Sequence, residues 1–543
     1  MGIFANPLTD LLEYEDFSRD FLKGTDPVGM TGCIDSEKVH FMSTFLGEKK
    51  VQLVVTYNEQ RAREIEEDYK LFCSQVYVIP PRDLIFFSAD LQGNAIIAER
   101  MKAFAALYQN EAKVIITTMD ALMSAAVPFE QLMSHVIKLK EGDELDLEKL
   151  KHDLTVMGYE RVGRVEEPGQ FTVHGGIADV YPLTMEVPVR IELWGDEIDT
   201  IRCFEPQSQR SMDQIECVSV FPAAEVIADD TARRRAAGMI QNELESQLAV
   251  FKKAKEPDKA KRLREETNRI LEALGEDVVL EAPDSYISYF YPRTVQLSEY
   301  FDEKNTLVFL DEPMRLKERG DGVQAEFEES MKNRLEQGFL LPGQTALLTP
   351  AKHVLAAFER GQVAALSSLD SRLADFTVVN SYAVNVQNMN TYREGFELLI
   401  KDLTHWKKEK YRIVLLCPSR TRANRIVNQL IEYDLLAYYS EDEDKKINPG
   451  EIMVTYGNLH RGFLYPMLKF AVITESDIFG VKKKKKEKKS HYQGQRISDF
   501  AQLKPGDYVV HENYGLGIYR GTERQIVDLS LIHISEPTRP EPI

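Results

Sequence analysis

Gly29-Met30-Thr31-Gly32-Cys33-Ile34-Asp35-Ser36 falls two residues short of a phosphate-binding loop. The pattern G-x-x-x-x-G-K-[ST] keeps its first glycine at Gly29 and its hydroxyl at Ser36, but Ile34 stands for the second glycine and Asp35 for the lysine. Such a loop wraps phosphates with backbone N–H groups, and its lysine neutralises the terminal charges. Ile34 is a β-branched side chain that strongly disfavours positive φ. Asp35 sets a carboxylate against a triphosphate, and two like charges about 4 Å apart repel by roughly 4 kcal/mol at an effective dielectric near 20. A chance glycine turn would write the same short string, and neither reading supports ATP binding there. A second trace lies in "TLVFLDEP", where an apolar strand ends in Asp311-Glu312. That is the Walker B arrangement, with Asp on magnesium and Glu on water, or else an acidic loop after a strand. With Ile34 and Asp35 in the loop the pair has no nucleotide to serve, and catalytic, cofactor and metal residues are all expected to be absent.

The elements that must position these residues follow from periodicity. "KVQLVVTY", "VYVIP" and "KVIITT" are short apolar runs, separated by a charged helical stretch after Asn58 and a helix from about Asn94 to Tyr108. This β-α-β alternation reads as a parallel sheet covered by helices. From Leu139 short strand-like runs alternate with Pro-Gly, Gly-Gly and Gly-Asp turns, with Gly195-Asp196 a hairpin tip, so an α+β domain is inserted into the α/β one. A long charged helical region covers roughly Thr231 to Ala273. A further α/β unit runs from about Leu347 to Glu475, its helix after Ser419 starting on a serine cap. Seven lysines and one glutamate between Lys482 and Lys489 read as an extended linker or a tail that touches nucleic acid. "LKPGDYVVHENYGLGIYRGTER" begins a small β-barrel, and the strand pattern stops at about Val527.

The chain of 543 residues has room for roughly three to four domains. Its hydrophobic fraction of 43% and charged fraction of 28% are those of ordinary globular domains. The net charge of −20 opposes broad coating of DNA, and a local basic patch stays open. No apolar run approaches the roughly 20 residues that cross a membrane. Five scattered cysteines form no CxxC and suit a reducing, cytoplasmic setting.

"RVEEPGQFTVHGGIADVYP" with "PVRIELWGDEIDTIRCFEPQSQRS" resembles the domain shared by the excision-repair subunit UvrB and the bacterial transcription-repair coupling factors, the Mfd family. That stretch does not separate the two. The broken loop, the passage from "VYVIPPRDL" to the Asn94 helix without a hairpin insert, "ITESDIFG", the basic linker and "LKPGDYVVHENYGLGIYRG" resemble the coupling factors. The resemblance implies a degenerate P-loop, helicase-like parallel-sheet domain with an inserted α+β domain, a small α/β domain and the start of a Tudor- or SH3-like barrel. The implied boundaries are 1–135 and 221–346 for the degenerate domain, 136–220 for the insert, 347–478, a linker 479–496, a truncated β domain 497–527 and a non-native tail 528–543.

By that resemblance the chain is the N-terminal fragment of a coupling factor, an adaptor whose full-length family uses ATP and magnesium to drive a DNA translocase. DNA contact falls mainly to the motor domains that lie beyond it. The insert is expected to bind UvrA through Arg161, Arg164, Glu166, Gln170, Phe171, His174, Asp179 and Arg190, a surface that the family masks at rest. His174 departs from the arginine that relatives commonly place there. Val509, Val510, His511, Tyr514, Gly515, Gly517 and Tyr519 are expected to meet the RNA polymerase β subunit by strand pairing, impaired by truncation. A UvrB-type damage-binding subunit and an ATP-dependent helicase-like enzyme are the competing readings.

Overall fold

In a computed structural model the described residues are 7–82, 94–275, 283–370, 376–392, 395–442, 445–480 and four strands between 508 and 534. Valine- and isoleucine-rich runs make a seven-stranded parallel sheet. Its strands are β1 (Val28–Thr31), β2 (Val51–Thr56), β3 (Val76–Ile79), β4 (Val114–Thr118), β13 (Thr306–Asp311), β14 (Val363–Ser367) and β15 (Asn380–Ala383), in the order β15-β1-β14-β13-β2-β4-β3. Every pairing in it is parallel. Strands buried on both faces must be covered on both. One face packs under a helical hairpin, α6 (Asp230–Ala254) and α7 (Pro257–Gly275), and α8 (Pro313–Glu336), through residues such as Leu53, Ile115, Leu310, Ile240 and Leu263. The other packs under α2 (Asp35–Ser43) and α3 (Glu59–Tyr69), the latter started by the Asn58 side chain accepting from Arg61 N–H.

The inserted domain enters through β5 (Ile137–Lys140) and leaves through β12 (Cys217–Val220), which pair antiparallel and bring its two ends together. Between them lie α5 (Leu147–Val156) and a sheet of β6 (Glu160–Arg161), β7 (Gln170–His174), β8 (Ile177–Val180), β9 (Val189–Trp194), β10 (Glu197–Phe204) and β11 (Ser211–Gln214), in the order β11-β10-β9-β8-β7-β6. Gly195, at φ 67°, and Asp196 form the expected tip between β9 and β10. Helix α5 covers one sheet face, where Leu150 and Leu154 meet Phe171, Val173, Ala178 and Ile191.

The next sheet has β17 (Arg412–Cys417), β19 (Ile452–Tyr456) and β21 (Phe470–Thr474) at its centre, with β20 (Phe463–Tyr465) antiparallel to β21. Helix α10 (Arg420–Glu432) starts where Ser419 caps Arg422 N–H. The boundary expected near residue 347 falls later, because β14 and β15 belong to the large sheet. Fully buried β14 needs neighbours on both edges, which β1 and β13 supply. Val414, Leu416, Met453, Phe463 and Val472 continue the core of the large sheet, so no solvent layer separates the two α/β units.

Residues 484–543 form a separate unit containing two hairpins, β22 (Tyr508–His511) with β23 (Gly515–Ile518), and β24 (Glu523–Val527) with β25 (Ser530–Ile534). The strand pattern therefore does not stop at Val527. Its alternation resumes in Ser530–Ile534, which pairs with the strand before it in antiparallel register. Residues 83–93, between β3 and the Asn94 helix, and the lysine-rich linker lie outside the described residues. Among the described residues no helix is long and apolar enough to cross a membrane.

Candidate functional site: a closed phosphate loop and an open sheet face

Strand β1 runs into the Gly32–Ile34 loop and α2, so the near-P-loop sits between strand and helix at the carboxyl end of the sheet, where ligands of open α/β folds bind. It is not shaped to wrap an anion. Ile34 is extended at φ −133°, and the left-handed residues are Gly32 at 82° and Asp35 at 26°. A Cβ on Gly32 would lie 2.0 Å from the Val384 carbonyl oxygen, so the loop is pressed against backbone. The Cys33 N–H donates to the Ser367 carbonyl at 3.2 Å and the Ile34 N–H to Glu37 Oε2 at 3.1 Å. Two donors that a phosphate nest would offer are thereby used inside the fold.

The acidic pair is occupied as well. Lys38, one turn into α2 and 3% exposed, donates from Nζ to Asp311 Oδ1 and Glu312 Oε1, each at 2.6 Å. The other Asp311 oxygen accepts from Thr56 Oγ1 at 2.8 Å and Arg61 Nε at 3.4 Å. Glu312 Oε1 also accepts the N–H of Ser368 at 2.9 Å and its hydroxyl. Burial pushes the Asp311 carboxyl up, but Lys38 and Arg61, with hydrogen bonds from Lys38 and Thr56, hold it down at about 2. Burial likewise disfavours the charged Lys38, and the two carboxylates outweigh it, so its pKa is raised. The Asp311-Glu312 pair thus has a fixed ammonium where a metal would be bound, and these residues do not fit a magnesium nucleotide.

The second α/β unit closes the remaining approach. Ser36 Oγ accepts the Arg461 N–H at 2.9 Å, Asp68 Oδ1 the His460 N–H at 2.5 Å, and Glu37 Oε1 the Tyr465 hydroxyl at 2.7 Å. The His40 ring stacks on Phe463 with centroids 5.2 Å apart. Arg461 also lies 3.6 Å from Asp35. Burial raises the carboxyls of both Glu37 and Asp68 to about 7 despite these hydrogen bonds. Sequence reading singled out Ile34, Asp35, Ser36, Asp311 and Glu312 but missed Lys38, Arg61, Thr56, Ser368 and the 460–465 strip. The available signal was Lys38 itself, a cation three residues after the position that lost one.

The inserted domain is the opposite kind of site. The sheet face away from α5 carries the cross-strand rows Thr172-Asp179-Arg190-Arg202 and His174-Ile177-Glu192-Thr200. Arg190 holds Asp179 through Nε at 2.7 Å and Nη2 at 2.8 Å, and lies over the Phe204 ring at 4.7 Å. His174 is exposed, its Nε2 3.0 Å from Thr172 Oγ1. Arg161, Arg164 and Glu166 are exposed at the β6 edge, with Arg164 3.3 Å from Glu166 and bonded to the Gln207 carbonyl. Gln170 turns inward, its Oε1 accepting the N–H groups of Glu166 and Glu167.

Phe171 is a correction. It is 0% exposed in the core under α5, because its place in β7 alternates with the outward Thr172, so it offers no surface contact. Exposed apolar residues of this domain that sequence reading missed are Trp194, 84% exposed beside the hairpin tip, Met212 on β11 and Ile177 opposite Glu192. In the C-terminal unit Val509, Val510 and His511 pair with Gly517, Leu516 and Gly515. Tyr514 and Tyr519 lie outside the described residues.

Three family models match along the chain: the UvrB interaction domain at residues 137–225, the MFD D3 domain at 405–478, and the CarD-like/TRCF RID domain at 503–535. The chain is 29% identical over 526 residues to a transcription-repair-coupling factor of Bacillus subtilis, covering 95% of this chain and 44% of that protein. A factor of the same name from Staphylococcus epidermidis is 28% identical over 529 residues, covering 96% and 44%. One from Staphylococcus haemolyticus is 29% identical over 525 residues, covering 93% and 43%. The chain spans less than half the length of these relatives. Its resemblance to the N-terminal part of the transcription-repair-coupling factors is thereby shown, together with UvrB-interaction and RNA-polymerase-interacting domains.

Proposed function

We propose that this chain is the adaptor part of a transcription-repair-coupling factor. Its inserted domain recruits UvrA of nucleotide excision repair, its C-terminal strands contact the RNA polymerase β subunit, and its large sheet is a helicase-like scaffold without nucleotide. The observation that carries this reading is the contrast between the two candidate sites. The Asp311-Glu312 pair at the sheet's carboxyl end is filled by Lys38, whereas the UvrB-interaction domain keeps Arg161 and Arg164 exposed at its sheet edge and His174 exposed on the face away from α5. Arg161, Arg164 and His174 offer a cationic and polar rim, and truncating such a group costs most where the contact is desolvated.

Calorimetry with purified UvrA tests it. We expect saturable binding, weakened at least tenfold by Arg161→Ala with His174→Ala while the unfolding midpoint stays unchanged. Phe171 is left intact because its loss would empty the core. No heat of binding, or binding indifferent to the double variant, would count against the assignment. ATP hydrolysis above background would instead restore the enzyme reading.

A further inference from the structure

The chain carries 87 acidic against 67 basic residues, so a cluster of unpaired cations on it is unusual. One occurs at the elbow of the α6–α7 hairpin. Helix α6 ends on Lys255, which turns left-handed at φ 59°, and Pro257 starts α7. The turn leaves a hollow of about 570 Å³. Its floor is apolar, built from Leu248, Phe251, Pro257 and Ala260, and Lys252, Lys255 and Arg264 stand around it. All three cations are exposed, and among the described residues none has a carboxylate within 4.0 Å.

Glu256, Lys261 and Glu265 also line the hollow, and Asp258 is exposed beside Pro257, but three of the nearby acids pair with other cations. Glu256 pairs with Lys259 at 2.9 Å, Glu265 with Lys261 at 3.9 Å and Glu266 with Arg269 at 3.2 Å. Arg262 is directed elsewhere, to the Gln337 carbonyl and over the Phe339 ring. Lys253, adjacent and exposed, adds a further cation without an ion-pair partner among the described residues.

We propose that this elbow binds single-stranded nucleic acid. Three or four free cations match consecutive phosphates of one strand, and their contact releases condensed counterions. The apolar floor between them offers a base a surface to lie on, as in strand-binding grooves that alternate charge with apolar platforms. A duplex keeps its bases stacked inside and gives such a short, concave patch only backbone to touch. Inorganic phosphate satisfies the cations but leaves the floor unused.

Fluorescence anisotropy with a labelled oligothymidylate strand of about 20 residues tests this at low salt. The full chain is used with the seven lysines between Lys482 and Lys489 changed to glutamine, which removes the linker as a competing polycation. The strand binds this chain, and Lys252→Glu with Lys255→Glu and Arg264→Glu weakens it at least tenfold. The same triple change lowers the slope of log affinity against log salt by about 2, at ~0.7 per phosphate contact. A control with Lys304, Lys332 and Lys352 reversed has the same net charge and keeps the affinity. The proposal is overturned if the strand does not bind or if the two triple variants weaken it equally. Equal affinity for a duplex of the same sequence, or displacement by inorganic phosphate at the concentration of the strand, overturns it as well. Circular dichroism of the elbow variant verifies that it remains folded.

Discussion

The large sheet and the inserted domain treat their charged residues in opposite ways. At the carboxyl end of the large sheet Asp311, Glu312, Lys38 and Arg61 are turned toward one another, and Asp311 and Lys38 are both under 4% exposed. On the outer face of the inserted sheet Arg190 is partly exposed over a buried Asp179, while His174 and, at the sheet edge, Arg161 and Arg164 are exposed, as is Trp194 at 84%. A buried charge costs free energy unless it is paired, so the first arrangement is closed by necessity. The second pairs Arg190 with Asp179 and keeps Arg161, His174 and Trp194 exposed. Charges gathered at a buried sheet rim must therefore pair with one another, whereas charges at the edge of a partly exposed sheet can stay in water.

The largest expected effect breaks the closed half. Lys38→Met leaves two facing carboxylates without their ammonium and destabilises the α/β body by about 3–5 kcal/mol, measured as a lower midpoint in urea. An unchanged midpoint would mean that the pair does not depend on Lys38. Next comes the open half. Arg190→Ala removes a bidentate, partly exposed pair with Asp179, lowering the stability of the inserted domain by about 1–3 kcal/mol. Hydrogen exchange localised to β8 and β9 checks that loss.

A smaller effect sharpens the junction by pH. Glu37 and Asp68 have folded pKa values raised to about 7, above those of the unfolded chain. Their stabilisation is complete below about pH 4 and is lost as the pH rises through 7. Asp311 works the other way, its contribution present above about pH 4 and lost as the pH falls through about 2. Thermal melts should therefore show a midpoint that declines from pH 5 to pH 8, and the Glu37→Gln variant should flatten that decline. The smallest effect is a null. Ile34→Gly with Asp35→Lys rewrites the loop in its consensus form, yet calorimetry should find no uptake of magnesium nucleotide, since Lys38 still holds Asp311 and Glu312.

Much of the framework was legible in the chain. The apolar run of β2, the Ser419 cap and the Gly195-Asp196 tip are local features, decided by side-chain shape, hydrogen bonding and φ preference within a few residues. The boundary near residue 347 was not, because whether "VAALS" joins the sheet before it or after it depends on which edges are free in space. Phe171 was misread for a related reason. Alternation in β7 tells which residues share a face, but not which face α5 will cover.

By itself the sequence determined that a β-branched side chain and a carboxylate stand at positions 34 and 35, where sterics and charge oppose a wrapped triphosphate however the chain folds. Only the tertiary structure decided what replaces it. Lys38 and Asp311 are 273 positions apart and meet at 2.6 Å because β1 and β13 each end at the same rim of one parallel sheet. The same long-range assembly left Trp194 in solvent and put Phe171 beneath a helix, a choice that depends on which sheet face finds a neighbour.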